Sequence, residues 1–251
     1  MILISDIITK SWDFYRKNFK IILPIMGLFF LVSMLDTIIR SFIYQPEGNV
    51  GIYVIGTLIS IPFYLAMLYL TIVTIEFLAR CLKNERPALA AIYKIVLKKL
   101  PMALLVSIIV GAIIIGGTIL LIVPGIIFAV WFNFAIYTYI LEGRAKLEAL
   151  KESKILVSGR WWPVFWRVLV INLFWGLITS AIVFGGGAIL RLPFGDLSKL
   201  SAGGSAGLGL LLSGLTNALL SLSTPLIILG TLLLFMDLRE SRSLTVAKPK
   251  E

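Results

Sequence analysis

The chain has 251 residues, 59% of them hydrophobic and 14% charged, with a net charge of +10. A water-soluble domain of this composition would lack the polar surface to stay dissolved, so the bilayer is its expected solvent. There is no histidine and a single cysteine, Cys81, which excludes zinc sites and Ser-His or Cys-His nucleophilic pairs and leaves no cofactor or metal to expect.

The first twenty residues mix Asp6, Lys10 and Asp13 into an amphipathic pattern in which Ile8, Trp12, Tyr15 and Phe19 form an apolar stripe. That pattern predicts an interfacial helix instead of a cleavable signal peptide, which would need an uninterrupted apolar core. A first span follows over Ile21–Tyr44 and a second over Gly51–Phe77. The basic connection after it leads into a second amphipathic stretch. There Leu89, Ile92, Tyr93, Val96, Leu97 and Leu100 share a face, and Lys94 and Lys98 point away.

From Pro101 to Leu141 no residue is charged, and the run is broken only at Pro124-Gly125. Roughly 20 residues at about 1.5 Å each match a hydrocarbon core about 30 Å thick, so this length predicts two crossings. Gly111, Gly116 and Gly117 predict close helix packing within it. A third amphipathic stretch, Lys146 to Val157, places Leu147, Leu150 and Val157 against Lys146, Glu148, Lys151 and Glu152, and Gly159 ends it before Trp161-Trp162-Pro163. A fifth span is expected over Val168–Leu190, followed by a Gly- and Ser-rich loop from Gly185-Gly186-Gly187 onwards. The sixth, Gly207–Met236, carries a row of small or polar residues at every fourth position, Ser205, Gly209, Ser213, Asn217 and Ser221, which is either a packing seam or a pore lining.

The predicted fold is therefore all-α: a polytopic membrane protein with about six transmembrane helices and three interfacial amphipathic helices. It forms one transmembrane domain over residues 1–251. Three weak repeats of amphipathic helix plus helical hairpin are read at 1–77, 87–141 and 144–236, and a short basic tail occupies 237–251. Basic residues lie beside the spans on one side, leaving only Arg40, Arg191 and Lys199 on the other. By the positive-inside rule both termini and the basic loops are expected in the cytoplasm, and the chain in the cell's inner membrane. Charges so placed favour anionic headgroups over nucleic acid as partner.

Two sets of candidate residues follow. Lys17, Lys20, Lys98, Lys99, Arg160 and Arg167 are basic residues beside aromatic or apolar ones and are candidates for holding anionic phospholipid headgroups. Inside the spans, Asp36 with Arg40 and Glu76 with Arg80 are acid-before-base pairs four apart, so each shares a helix face. Each pair is either a neutralising ion pair or part of a polar site. Asn133, Asn172 and Asn217 either bond across to another helix, at about 1 kcal/mol each, or line a substrate pathway.

Pro124-Gly125-Ile126 opens an aromatic-rich segment, and Leu141-Glu142-Gly143, Ala149-Leu150, Ser153, Leu156, Gly159 and Trp162 follow. Together with Trp12, Tyr15, Arg16, Lys17, Asn18 and Phe19, this pattern resembles the membrane-domain family of glycerophosphodiester phosphodiesterases and the related six-span bacterial and archaeal membrane proteins. In some relatives the resemblance implies a fused soluble barrel that performs hydrolysis. No such barrel is present in these 251 residues, and without histidine its acid–base chemistry is not expected here. The expectation is a non-catalytic membrane scaffold or anionic-phospholipid-interacting module. The alternative is a small transporter or lipid translocase with a polar pathway through Asp36, Asn133, Asn172 and Asn217. Partner proteins and oligomeric state are left open.

Overall fold

The structure, a computed structural model, describes residues 2–43, 50–85, 87–144, 146–194 and 206–247. Among these, every regular element is a helix: α1 (Ile4–Ile43), α2 (Val50–Leu82), α3 (Leu89–Leu120), α4 (Ile122–Phe132), α5 (Ala135–Glu142), α6 (Leu147–Val157), α7 (Trp161–Phe194) and α8 (Ala206–Ala247). Helix is what an apolar chain adopts in lipid, where no water is available to backbone N–H and C=O groups. Five segments are long and apolar enough to cross a membrane: Ile4–Arg40, Val50–Leu82, Leu89–Leu120, Ile122–Glu142 and Trp161–Ile182. The chain is a multi-pass helical membrane protein.

The helix ends explain where sequence reading and structure part. Among the described residues, positive φ occurs only at Asn84, Gly143, Lys146 and Gly159. Gly143, at φ +70°, closes α5 by donating its N–H to Tyr139 O, a conformation that costs glycine little. Gly159, at φ +77°, follows α6. These breaks isolate α6 as a separate helix. No such break follows Lys20 or Leu100, so the first two predicted interfacial helices are continuous with the spans after them, α3 running through Pro101. Likewise α7 carries on through Gly185-Gly186-Gly187 to Phe194, past the span end expected at Leu190 and without a break at the glycines.

The packed faces also differ from the predicted stripes. On α1, Ile7 and Ser11 are fully buried while Trp12 and Phe19 are exposed. Leu97 on α3 and Leu147 on α6 are exposed too. In lipid the outward face of a helix is itself apolar, so hydrophobicity alone does not tell packed from lipid-facing positions. Packing here selects small groups: a Cβ at Gly230 on α8 would stand 2.9 Å from Ile171 Cγ2 and within contact of Ser11 and Ile7.

The chain divides into two compact units, which do not follow the predicted repeats: Met1–Phe14 with Thr71–Asn172 and Ile227–Glu251, and Tyr15–Leu70 with Leu173–Leu226. The first unit contains the α3–α4 hairpin, with α5 and α6 packed on it. Only Leu121, in extended conformation, separates α3 from α4. Gly117 and Gly125 permit the tight turn, since a Cβ on Gly117 would meet the Phe128 ring and one on Gly125 would meet Thr118. Gly111 and Gly116, by contrast, face open space and make no close contact. Phe134, Tyr137 and Phe235 form an aromatic cluster in the same unit, with centroids 5.9–6.3 Å apart. In the second unit, Tyr15 donates its hydroxyl to Met26 Sδ at 3.4 Å beside the buried Ile22 and Ile25.

Candidate functional site

Charged side chains concentrate in the first unit, where Glu76, Glu142, Glu152 and Asp237 are held internally while Asp6, Asp13, Glu148 and Glu240 are exposed. Glu76 on α2 is almost fully buried, with 7% of its side chain exposed. Its Oε1 accepts from Arg80 Nε at 3.0 Å and Nη2 at 2.8 Å, and its Oε2 accepts from Lys99 Nζ at 3.0 Å. Lys99 also donates to the Ile140 carbonyl at 2.8 Å, while the Tyr139 hydroxyl donates to the Lys99 carbonyl at 3.0 Å. A carboxylate removed from water is tolerated only when both oxygens find charged or hydrogen-bonding partners, and here both do.

A second cluster joins α5, α6 and α8. Arg239 pairs with Glu142 and, at 3.3 Å, with Glu152, which Arg242 also reaches at 2.9 Å. Burial, and then the neighbouring charge of Arg242, push the Arg239 guanidinium below its ordinary pKa. Even so it stays a cation at neutral pH, since guanidinium begins so high. Arg160 donates to Ser241 Oγ at 2.5 Å. Arg167 donates to the carbonyls of Ile2 and Pro163, and Asp237 accepts from the Ile2 N–H.

The six headgroup candidates therefore separate into two groups. Lys99, Arg160 and Arg167 are engaged inside the protein. Lys17, Lys20 and Lys98 are exposed and have no side-chain partner among the described residues. In the first unit Lys94 and Lys151 share that condition, as does Lys83. Exposed Leu97, Leu147, Trp162 and Trp166 belong to the same unit.

The asparagines do not converge. Asn172 is exposed and donates to Val168 O of its own helix at 2.8 Å, so the expected bond to another helix is not made. An amide one turn below a carbonyl on the same helix reaches it without any neighbour. Asn133 stands at the interruption between α4 and α5, on a cavity of about 380 Å³ lined mainly by apolar side chains, including Val106, Val110, Ile114 and Ile136, with the Ser107 hydroxyl. Its Nδ2 is buried without a partner. The Asn217 side chain lies outside the described residues, as do the side chains of Ser205, Ser213 and Ser221. Asp36 belongs to the second unit, where its Oδ2 accepts from Arg40 Nε at 2.9 Å; Arg40 Nη2 in turn donates to the Tyr64 hydroxyl at 2.7 Å. Asp36 Oδ1 is buried without a partner.

One residue of consequence escaped pattern reading. Ser153 on α6 is fully buried and bridges the α4–α5 interruption, donating to Trp131 O at 2.7 Å and accepting from the Phe134 N–H at 3.2 Å. Next to it, Lys154 Nζ lies 4.4 Å from the Trp131 ring centroid. The signal for Ser153 was its place among Leu150, Leu156 and Val157 on the buried side of α6. A hydroxyl in such a row needs a partner.

Among the described residues, no three His, Cys, Asp or Glu side chains form a group that could hold a metal ion. Comparison with protein-family models, with curated proteins and with solved structures found no match.

Proposed function

We propose that the chain is a non-catalytic membrane scaffold that gathers anionic phospholipid at its basic end, with that end and both termini in the cytoplasm and the protein in the cytoplasmic membrane. The observation that carries this reading is the uneven pairing of charge. Glu76, Glu142, Glu152 and Asp237 are satisfied by internal partners. Among the described residues of the same unit, Lys10, Lys83, Lys94, Lys98, Arg144, Lys146 and Lys151 are exposed and unmatched, and they outnumber the exposed, unmatched acids Asp6, Asp13, Glu148 and Glu240. An anionic leaflet supplies the missing counter-charge, at about 1 kcal/mol for each Lys or Arg near its surface. Exposed Trp162 and Trp166 suit the headgroup level, where indole rings prefer to sit.

A transport pathway finds less support. It needs the intramembrane polar groups to share one cavity, and in the first unit the cavity that Asn133 lines is not lined by Asn172, which is satisfied on its own helix.

Native mass spectrometry of the purified protein tests the proposal. The expected result is retention of phosphatidylglycerol or cardiolipin over phosphatidylethanolamine, with the preference reduced by joint replacement of Lys17, Lys20 and Lys98 by Gln. An unchanged lipid profile in that variant reduces these lysines to topological anchors.

A further inference from the structure

The hairpin made by the second half of α3 and by α4 is apolar through to its turn. Ile119, Leu120, Leu121, Ile122 and Val123 are 65–80% exposed, and the nearest polar side chain, Thr118, turns its hydroxyl back to Ile114 O at 2.8 Å. From Ile108 to Ile127 there is no charged, amide or aromatic residue. A turn emerging into water on the far side of a membrane gains nothing from five exposed large aliphatic side chains, and one resting at an interface would be expected to carry Trp, Tyr, Lys or Arg.

At the other end of the hairpin, charge reaches well along α4. Lys154 lies over Trp131, Ser153 is bonded to Trp131 and Phe134, and the adjacent Glu152 pairs with Arg239 and Arg242. From Trp131 to Leu121 is a climb of about 15 Å, and from Phe134 to Leu121 about 20 Å, at about 1.5 Å per residue. Both distances on the α4 leg fall short of a hydrocarbon core of about 30 Å, and the α3 leg, about 33 Å from Lys99 to Leu121, fits the same depth only when strongly tilted.

We propose that the α3–α4 hairpin is re-entrant: it enters the membrane from the basic side, turns at Leu121 within the hydrocarbon interior, and returns to the same side, its tip covered by lipid acyl chains. The second leg of the charge-free run Pro101–Leu141 reaches the length of a crossing only by including α5, which packs beside the charged α6, whereas the α3 leg from Pro101 to Leu120 covers about 30 Å without it. Backbone polarity at the tip is kept low, as an apolar medium requires. A single residue lies outside the helices. The Leu121 N–H donates to Gly117 O at 3.0 Å, and its carbonyl accepts from the Gly125 N–H at 3.4 Å. Pro124 has no N–H to leave unpaired in the first turn of α4.

The test uses the full chain with Cys81→Ser and one new cysteine, Leu121→Cys or Lys83→Cys, labelled with an environment-sensitive fluorophore and reconstituted into vesicles. Lipids spin-labelled at the headgroup, mid-chain or chain end act as depth-resolved quenchers, and iodide probes water. The fluorophore at position 121 is expected to be quenched most by chain-end label and not by iodide, with the reverse at position 83. Strongest quenching at 121 by headgroup label or by iodide overturns the proposal, since the tip would then have reached the far interface. An independent variant guards against label effects. Leu121→Lys is expected to lower folded yield several-fold, while Leu97→Lys, at an exposed site near Lys98, leaves it unchanged; equal yields for the two overturn the proposal.

Discussion

Glu76-Arg80 and Asp36-Arg40 are the same motif in sequence, an acid four residues before an arginine on an apolar helix, yet the two sites are built differently. Glu76 is 7% exposed and has both carboxylate oxygens satisfied, because Lys99 comes from another helix to complete the site. Asp36 is 23% exposed, has one satisfied oxygen, and its arginine turns to a neutral phenol, Tyr64, for its second contact. The local spacing makes the ion pair; the remote partner decides how deeply it can be buried.

The comparison is broken most severely at its better-satisfied site. Glu76→Ala leaves Lys99 without a carboxylate and Arg80 with only the exposed Glu85 at 3.9 Å, and removing one member of a buried pair costs about 3–5 kcal/mol. Because each cation is about a third exposed, the loss is expected near the lower figure, read as a fall in apparent Tm in detergent. A loss below about 1 kcal/mol would make the site a surface pair.

Ser153 extends the rule of the remote partner to an uncharged group. Ser153→Ala strips the buried Phe134 N–H of its acceptor, and a loss of about 1–3 kcal/mol is expected from thermal unfolding. Ser153→Thr, which keeps the hydroxyl, sharpens the result by retaining more of that stability.

The local pair should behave otherwise. Asp36→Asn alone is expected to cost up to about 1 kcal/mol by leaving Arg40 with the phenol only, whereas Asp36→Asn with Arg40→Gln lies closer to the parent protein. A single variant of unchanged stability that abolishes an ion-dependent uptake would move the site from structure to transport.

The smallest effect is expected at Asn172, whose only side-chain hydrogen bond among the described residues is to its own helix. Asn172→Leu should change stability by no more than about 0.5 kcal/mol in an unfolding titration. A larger loss would reveal a partner beyond this chain.

What was legible in the sequence follows the same division between local and remote. Helical class, the presence of several spans, the break near Pro124-Gly125 and the separate helix ending before Gly159 all rest on local rules of hydropathy and backbone conformation. The joining of Lys99 to Glu76, the bridging by Ser153 and the engagement of Arg160 by Ser241 depend on contacts 19 to 81 residues apart. No periodicity encodes them. Nor does hydropathy separate the packed face of α1 from its outward one, because Trp12 is as suited to lipid as Ile7 is to the protein interior.

We propose a division of labour among the basic residues, in which those with internal partners hold the fold and those without hold lipid. Two triple variants test it directly when each is measured for both apparent Tm and retained anionic lipid. Replacing Lys17, Lys20 and Lys98 by Gln is expected to reduce retained phosphatidylglycerol or cardiolipin with Tm unchanged, and replacing Lys99, Arg160 and Arg167 by Gln is expected to lower Tm. Loss of anionic lipid at unchanged Tm in the second variant, with the first keeping its lipid, would contradict the account.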